Sequence, residues 1–236
     1  MSSPESVGRM LASGAAEIGV GLSPSQARLL EHHAALITVW NTRLRLTGVR
    51  TAEDAVRVLI LGALDILRFL PAQGVILDLG SGAGVPGIPI AALRPSAQVV
   101  LLEASRKKAA FLELASRELG LANVTVLNAR AETLGRDPDH REHYDAVTAR
   151  ALAPLRVLVE YALPLLRMGG VAVFPKGVKA AAEVAAAAKA LTILGGQAET
   201  RGSLSRNSSP SVVVRKIAPT PPEFSRRPGV PPRRPL

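Results

Sequence analysis

The chain contains no cysteine. Disulfides, thiolate metal sites and cysteine nucleophiles are thereby excluded together, and no oxidising compartment is required. No stretch is long and uncharged enough to span a bilayer. The N-terminus carries Glu5, Arg9 and Glu17 where a signal peptide needs an uninterrupted apolar core, so a cytoplasmic protein is expected. No internal repeat is visible. Acidic residues are few beside basic ones, 19 against 29, and the net charge of +10 suggests a polyanionic partner, although charge speaks to association and not to fold. What is present is 236 residues, 47% hydrophobic and 20% charged, which reads as one large globular domain, or a domain with a small appendage, long enough for a sizeable core.

Residues 1–70 read as an N-terminal helical region packing on the core. Ser23-Pro24-Ser25-Gln26 offers a serine N-cap, proline at the first helical position and glutamine at the third, a capping box. Behind it Leu30, Ala34, Ile37, Trp40 and Leu44 recur at helical spacing. A second N-terminal signature, Thr51 to Asp54, precedes Val56, Leu59, Ile60, Ala63 and Leu67 on one face. The adjacent His32 and His33 point to different faces, which favours packing or surface roles over ligand binding.

Over residues 71–218 the period changes. Strands are expected at 75–79, 99–103, 124–127, 144–149 and 171–174, with helices at 86–93, 105–119, 154–167 and 178–194. Alternation of this kind implies an α/β fold with a parallel, doubly wound sheet. Segments 197–203 and 212–217 are joined by too short a link for a helical crossover and should form an antiparallel hairpin. A mostly parallel seven-stranded sheet closed by an antiparallel last strand is the methyltransferase variant of this Rossmann-like architecture, not the dehydrogenase one. Residues 219–236 hold seven prolines and a net charge of +3, which reads as a disordered Pro/Arg-rich basic tail.

The chain is organised around Val75 to Gly87, VILDLGSGAGVPG. An apolar run ends in Asp78, and Gly80, Gly82 and Gly84 follow before a helix starts near Pro86. Glycines let the backbone take positive φ and let a ligand approach the main chain, while the free N–H groups of the new helix favour a polar or anionic group. Dinucleotide dehydrogenases and S-adenosylmethionine methyltransferases both use this device, and Gly82-Ala-Gly84-Val-Pro-Gly87 also fits the G-x-G-x-x-G pattern of the former. Ligands of an open α/β sheet sit outside the carboxyl ends of the strands. Gly80 and Gly82 follow the first strand, Glu103 ends the second, Ala131 and Glu132 follow the third, and Arg150 follows the fourth. Glu103 lies 21 residues beyond Gly82, the usual distance for a carboxylate that accepts both ribose hydroxyls. Glu132 would take the adenine amino group or leave it to the Ala131 and Glu132 backbone.

A family resemblance joins these pieces. Trp40-Asn41 with Leu46-Thr47, the Asp78 to Pro89 stretch, Arg94-Pro95, Leu101-Leu102-Glu103, Arg130-Ala131-Glu132, Ala149-Arg150-Ala151, Lys176-Gly177 and a closing Val212 to Lys216 resemble the glucose-inhibited division protein B family, RsmG. The resemblance covers roughly residues 25–217. It implies a class I methyltransferase that uses S-adenosyl-L-methionine to methylate N7 of one guanine in 16S rRNA, giving 7-methylguanosine. By position it places Gly80, Val85, Ala131, Glu132 and Arg150 at the cofactor. The chain departs from the family where Leu59 to Leu64 is wholly apolar in place of a His followed by Asp-Ser, and where Arg45 replaces the usual Asn.

Reaction chemistry narrows the choice independently. Methylation at C5 of a pyrimidine needs a cysteine to add to the ring first, and there is none. Amino-group methylation of adenine or cytosine typically uses an Asn/Asp-Pro-Pro-aromatic turn after the fourth strand, where this chain has Thr148 to Ala151. Direct transfer to a free lone pair, or to a small molecule, remains. His140 and His143 lie in a polar segment with charges of both signs and are read as a solvated loop, with no metal indicated. Arg106, Lys107 and Lys108 open a helix at its positive end, where an external anion would compensate. The expected partner is 16S rRNA or a small ribosomal subunit still in assembly, met by a monomer without membrane or metal. The rival readings are methylation of a small molecule or protein, and a catalytically weak RNA-binding or assembly factor on the same fold.

Overall fold

The computed structural model describes residues 4–204 and 209–236. Helices α1 (Pro4–Glu17) and α2 (Pro24–Leu44) begin the chain. The capping box at Ser23 is formed: its hydroxyl accepts the Gln26 N–H at 3.2 Å and the Gln26 side chain accepts the Ser23 N–H at 3.0 Å. Thr51 caps α3 (Ala52–Asp54), which runs through a π-helical stretch, Ala55–Ile60, into α4 (Leu61–Asp65) and a 3₁₀ turn, Ile66–Phe69. These helices bury Leu11, Leu30, Ile37, Val56 and Ile60 in one core with Ile76, Ile88, Val99 and Phe111 of the sheet and its helices. That is the partner surface their apolar faces required.

The sheet alternates as expected: β1 (Gly74–Leu79), α5 (Gly87–Leu93), β2 (Ala97–Leu102), α6 (Arg106–Glu118), β3 (Val124–Leu127), α7 (Ala131–Leu134), β4 (Tyr144–Ala149), α8 (Leu155–Ala162) and β5 (Leu166–Pro175). Then come α9 (Ala180–Ala186), α10 (Ala188–Leu194), β6 (Gly196–Arg201), β7 (Ser211–Lys216) and α11 (Val230–Arg233). Among the described residues the strand order is β3-β2-β1-β4-β5-β7-β6, with β7 antiparallel to both neighbours. The order reverses between β1 and β4, so the ends of these two strands open the crevice where a ligand is received.

Three expectations need correction. The helix foreseen at 154–167 ends at Ala162, because Pro164 cannot continue it, and β5 starts at Leu166, five residues before the expected strand. The helix foreseen at 178–194 is divided at Ala187, with φ −96° and ψ 0°.

The third correction concerns residues 219–236, expected to be disordered and found packed along the molecule. Phe224 and Ser225 are buried. The Arg141 guanidinium donates to the carbonyls of Thr220 at 2.8 Å, Pro221 at 3.2 Å and Phe224, and Arg136 Nε donates to the Ser225 carbonyl at 2.7 Å. Arg226 Nε donates to Glu160 Oε1 at 2.6 Å, and a second bond joins Arg226 Nη2 to Oε2. Prolines remove N–H donors and so prevent helix and ladder, but each leaves a carbonyl acceptor. Arginines on the neighbouring loop satisfy those carbonyls, and order follows without regular structure.

Candidate active site

The glycine turn after β1 is held from three sides. Asp78, the buried end of the apolar run, accepts Thr148 Oγ1 of β4 at 3.0 Å on one oxygen and the Gly87 N–H that opens α5 at 3.1 Å on the other. The register that pairs Asp78 with Thr148 places them side by side. Burial pushes the Asp78 carboxyl up to about 7 against the pull of these donors. From below, His33 of α2 meets the Ala83 carbonyl at 2.9 Å; a carbonyl only accepts, so Nε2 carries the proton. Burial holds this imidazole down at about 4. His33 therefore packs, as its sequence context suggested. Gly80, Gly82 and Gly84 have φ of 65°, 52° and 81°, and a Cβ at Gly80 would meet Leu152 at 2.7 Å, so both the backbone and the space exclude a side chain.

The third anchor is Glu103. Its two oxygens accept the Gly82 N–H at 3.0 Å and the Ser105 N–H at 2.8 Å. The carboxylate thus stands at the N-terminus of α6, beside the cations Arg106 to Lys108, and supplies from within the chain an anion that the sequence suggested would come from outside.

A cavity of about 450 Å³ opens over this turn, within the usual range for cofactor sites. Gly80, Gly82 and Val85 form its glycine side, Glu103 its β2 side, and Ala131 and Glu132 its β3 side, with Arg150 at the end of β4. All seven sequence-predicted residues line one cavity. Glu132 is buried and accepts the Gly229 N–H of the C-terminal segment at 2.9 Å. The Arg150 guanidinium donates to the carbonyls of Leu59 at 3.0 Å and Val58 at 2.5 Å within the π-helical stretch, and burial lowers its pKa. Leu59, the first residue of the apolar departure at 59–64, therefore helps to hold Arg150 through its main chain.

Residue reasoning missed two walls. Tyr161 on α8 faces the cavity, with its phenol pushed up to about 12 by burial and then by the charge of Glu132, so it remains protonated. Nothing in an apolar helix marked it. Leu46, Thr47 and Gly48 close the opposite side. Asn41 holds that loop, accepting the Thr47 N–H at 2.9 Å and donating to the Val49 carbonyl at 2.6 Å. The paired Trp40-Asn41 and Leu46-Thr47 motifs were the available signal. His140, by contrast, lies outside the cavity with Nδ1 against the Tyr144 hydroxyl at 2.7 Å. Among the described residues no group of three or more His, Cys, Asp or Glu side chains converges to hold a metal.

Residues 26–212 match the model of the family described as GidB, rRNA small subunit methyltransferase G. The chain belongs to this family. Similar relatives named Ribosomal RNA small subunit methyltransferase G include one from Roseiflexus sp. (strain RS-1), 44% identical over 231 residues that cover 96% of this chain and 99% of the relative. Another, from Pelotomaculum thermopropionicum, is 42% identical over 229 residues, 94% of this chain and 96% of its own. The fold is also similar to that of a SAM-dependent methyltransferase from Aquifex aeolicus, at 14% identity and TM-score 0.54 over 70% of this chain and 93% of that one. The chain is accordingly a class I methyltransferase dependent on S-adenosyl-L-methionine. Its cavity fits that cofactor, with a glycine cradle at positive φ and a lining that includes the Glu103 and Glu132 carboxylates and apolar Val85 and Ala131. Among the described residues no helix is long and apolar enough to cross a membrane.

Proposed function

We propose that this chain methylates N7 of a guanine in 16S rRNA, on a small ribosomal subunit or an intermediate of its assembly, in the cytoplasm and as a monomer. The observation that carries this reading is the meeting of Gly80, Gly82, Val85, Glu103, Ala131, Glu132 and Arg150 around one cavity at the β1–β4 reversal. When bound there, S-adenosylmethionine supplies an electrophilic methyl group. In this reading Gly80 and Gly82 admit it to the main chain and Glu103 accepts from the ribose hydroxyls. Val85 and Ala131 flank the adenine, whose amino group lies towards Glu132, and Arg150 fixes the carboxylate side or an RNA phosphate.

Guanine N7 carries an in-plane lone pair and no proton, so no side chain has to act as a base. That lone pair is the nucleophile, and the cofactor held by the glycine turn and Glu103 would supply the methyl group to it and retain the bonding electrons on its sulfur. The work left to the chain is alignment, which supplies roughly 7–11 kcal/mol when reacting groups are held in line. The base becomes cationic as it is methylated. A guanidinium held on the Val58 and Leu59 carbonyls, and not aimed at N7, is compatible with that charge.

Borohydride–aniline treatment cuts RNA at 7-methylguanosine. Small subunits incubated with the chain and cofactor should acquire one such cut in 16S rRNA. Methyl label without a cut would overturn the N7 assignment, and no label on any ribosomal substrate would favour a small-molecule or protein acceptor.

A further inference from the structure

Two pieces of the family pattern, Ala149-Arg150-Ala151 and Lys176-Gly177, meet at a place that the cofactor does not explain. A second cavity, of about 580 Å³, adjoins the first and shares Arg150 and Ala151 as its wall. Ala151 has φ 51°, a conformation costly to any residue with a Cβ, and it sits at the junction of the two cavities. Across the second cavity, Lys176 at the end of β5 lies 2.9 Å from Glu183 of α9. Both are fixed: Lys176 Nζ donates to the Ala153 carbonyl at 2.6 Å, and Glu183 Oε2 accepts the Leu155 N–H at 2.6 Å. The result is a donor and an acceptor held side by side in the lining, which also includes Arg57, paired with Asp54 at 2.6 Å.

We propose that this second cavity is the acceptor-base subsite, in which Lys176 and Glu183 read the Watson–Crick edge of a guanine extruded from the RNA. That edge presents the acceptor O6 beside two donors, N1–H and the 2-amino group, and an ammonium beside a carboxylate is its complement. Adenine reverses the pattern, setting its 6-amino donor against the ammonium. Enzymes that act on a base commonly extrude it and read this edge. N7 lies on the other edge of the purine, so reading by Lys176 and Glu183 leaves its lone pair free to face the cofactor cavity past Ala151, while the Arg150 guanidinium stays turned to the Val58 and Leu59 carbonyls. Arg57 and Arg150 then stand where flanking phosphates pass. The inference rests on the guanine-N7 reading and adds to it the residues that choose the base.

Inosine separates the two. It keeps N7, O6 and N1–H and lacks only the 2-amino group. Small subunits are reconstituted on 16S rRNA carrying inosine at the nucleotide that the wild-type chain methylates. The wild type should lose about 10- to 100-fold in kcat/KM on this substrate, the value of one hydrogen bond to a charged group. Glu183→Gln should lower kcat/KM on guanine comparably while its own penalty for inosine shrinks below about 3-fold, with S-adenosylmethionine affinity unchanged. The wild-type measurement requires no variant, so a folding defect in Glu183→Gln does not leave the proposal unchecked. Equal rates on guanine and inosine, or an unchanged penalty in the variant, would overturn the subsite alone. Absence of 7-methylguanosine from the wild-type reaction would overturn the underlying reading as well.

Discussion

His33 and Asp78 grip the same turn and titrate in opposite senses. An imidazole held at about 4 when folded and near 6.5 when unfolded binds its proton preferentially in the unfolded chain. Its contribution is present above pH 6.5 and is lost as pH falls toward 4, by about 3 kcal/mol. Asp78, raised from 3.8 to about 7, binds its proton preferentially in the folded chain, so its contribution is present below pH 3.8 and is lost as pH rises toward 7. Between pH 4 and 6.5 the two slopes oppose each other. His33→Gln, which keeps a donor for Ala83, should therefore leave a chain whose urea-unfolding free energy falls with rising pH across this window more steeply than the wild type's. Identical pH profiles for the two proteins would show that the buried imidazole is not titrating as described. At Glu103 the expectation concerns binding. Glu103→Ala removes an acceptor and leaves the Gly82 and Ser105 N–H groups without it, which should weaken S-adenosylmethionine binding in calorimetry by about 1–3 kcal/mol. Glu103→Gln should fare little better, since its amide NH₂ must face one of those two donors.

The loop after α2 shows what one element asks of one residue. Arg45, at the C-cap of α2, has φ 48° and ψ 55°, the left-handed conformation that asparagine and glycine adopt most readily. The asparagine that the family resemblance leads one to expect here would suit this backbone better than Arg45 does. Arg45→Asn should raise thermal stability, by up to about 1 kcal/mol, without loss of turnover; a fall in the melting temperature would refute the argument. Elements of this kind were legible in proportion to how local their causes are. Ser23 and Thr51 announce their helices because a cap needs only its next three residues, and β3 and β4 fall at the expected bounds because β-branched and apolar residues alternate with turn residues around them. The helix expected to run to residue 167 stops at Ala162, because Pro164 has no N–H with which to continue it. The π-helical stretch Ala55–Ile60 keeps an apolar face much like that of an α-helix, so periodicity alone did not reveal it.

At the scale of the molecule, sequence pattern located the glycine turn and the residues around the cofactor cavity, since strand ends and glycines fix them locally. It did not reveal the order of residues 219–236, because most partners of that segment lie 66 to 97 residues away in sequence, on α8, the loop before β4 and α7. The segment matters to the whole because it covers two buried acids. Glu160 has no exposed side-chain surface and is neutralised by Arg226. Removing one partner of such a pair strands a charge, whereas replacing both by apolar residues removes the desolvation penalty with the pair. Arg226→Ala should therefore destabilise the fold by about 3 kcal/mol in urea, and Arg226→Met combined with Glu160→Leu should recover most of that loss. Glu132 gives the segment a second, separable effect. Deleting residues 228–236 keeps Phe224 and Arg226 in place but takes away the Gly229 N–H, so the Glu132 carboxylate on the cavity wall loses the contact that orients it. That truncation should weaken S-adenosylmethionine binding several-fold while lowering unfolding stability less than Arg226→Ala does. Wild-type cofactor affinity in the truncated chain would show that the C-terminal segment stabilises the fold without shaping the site.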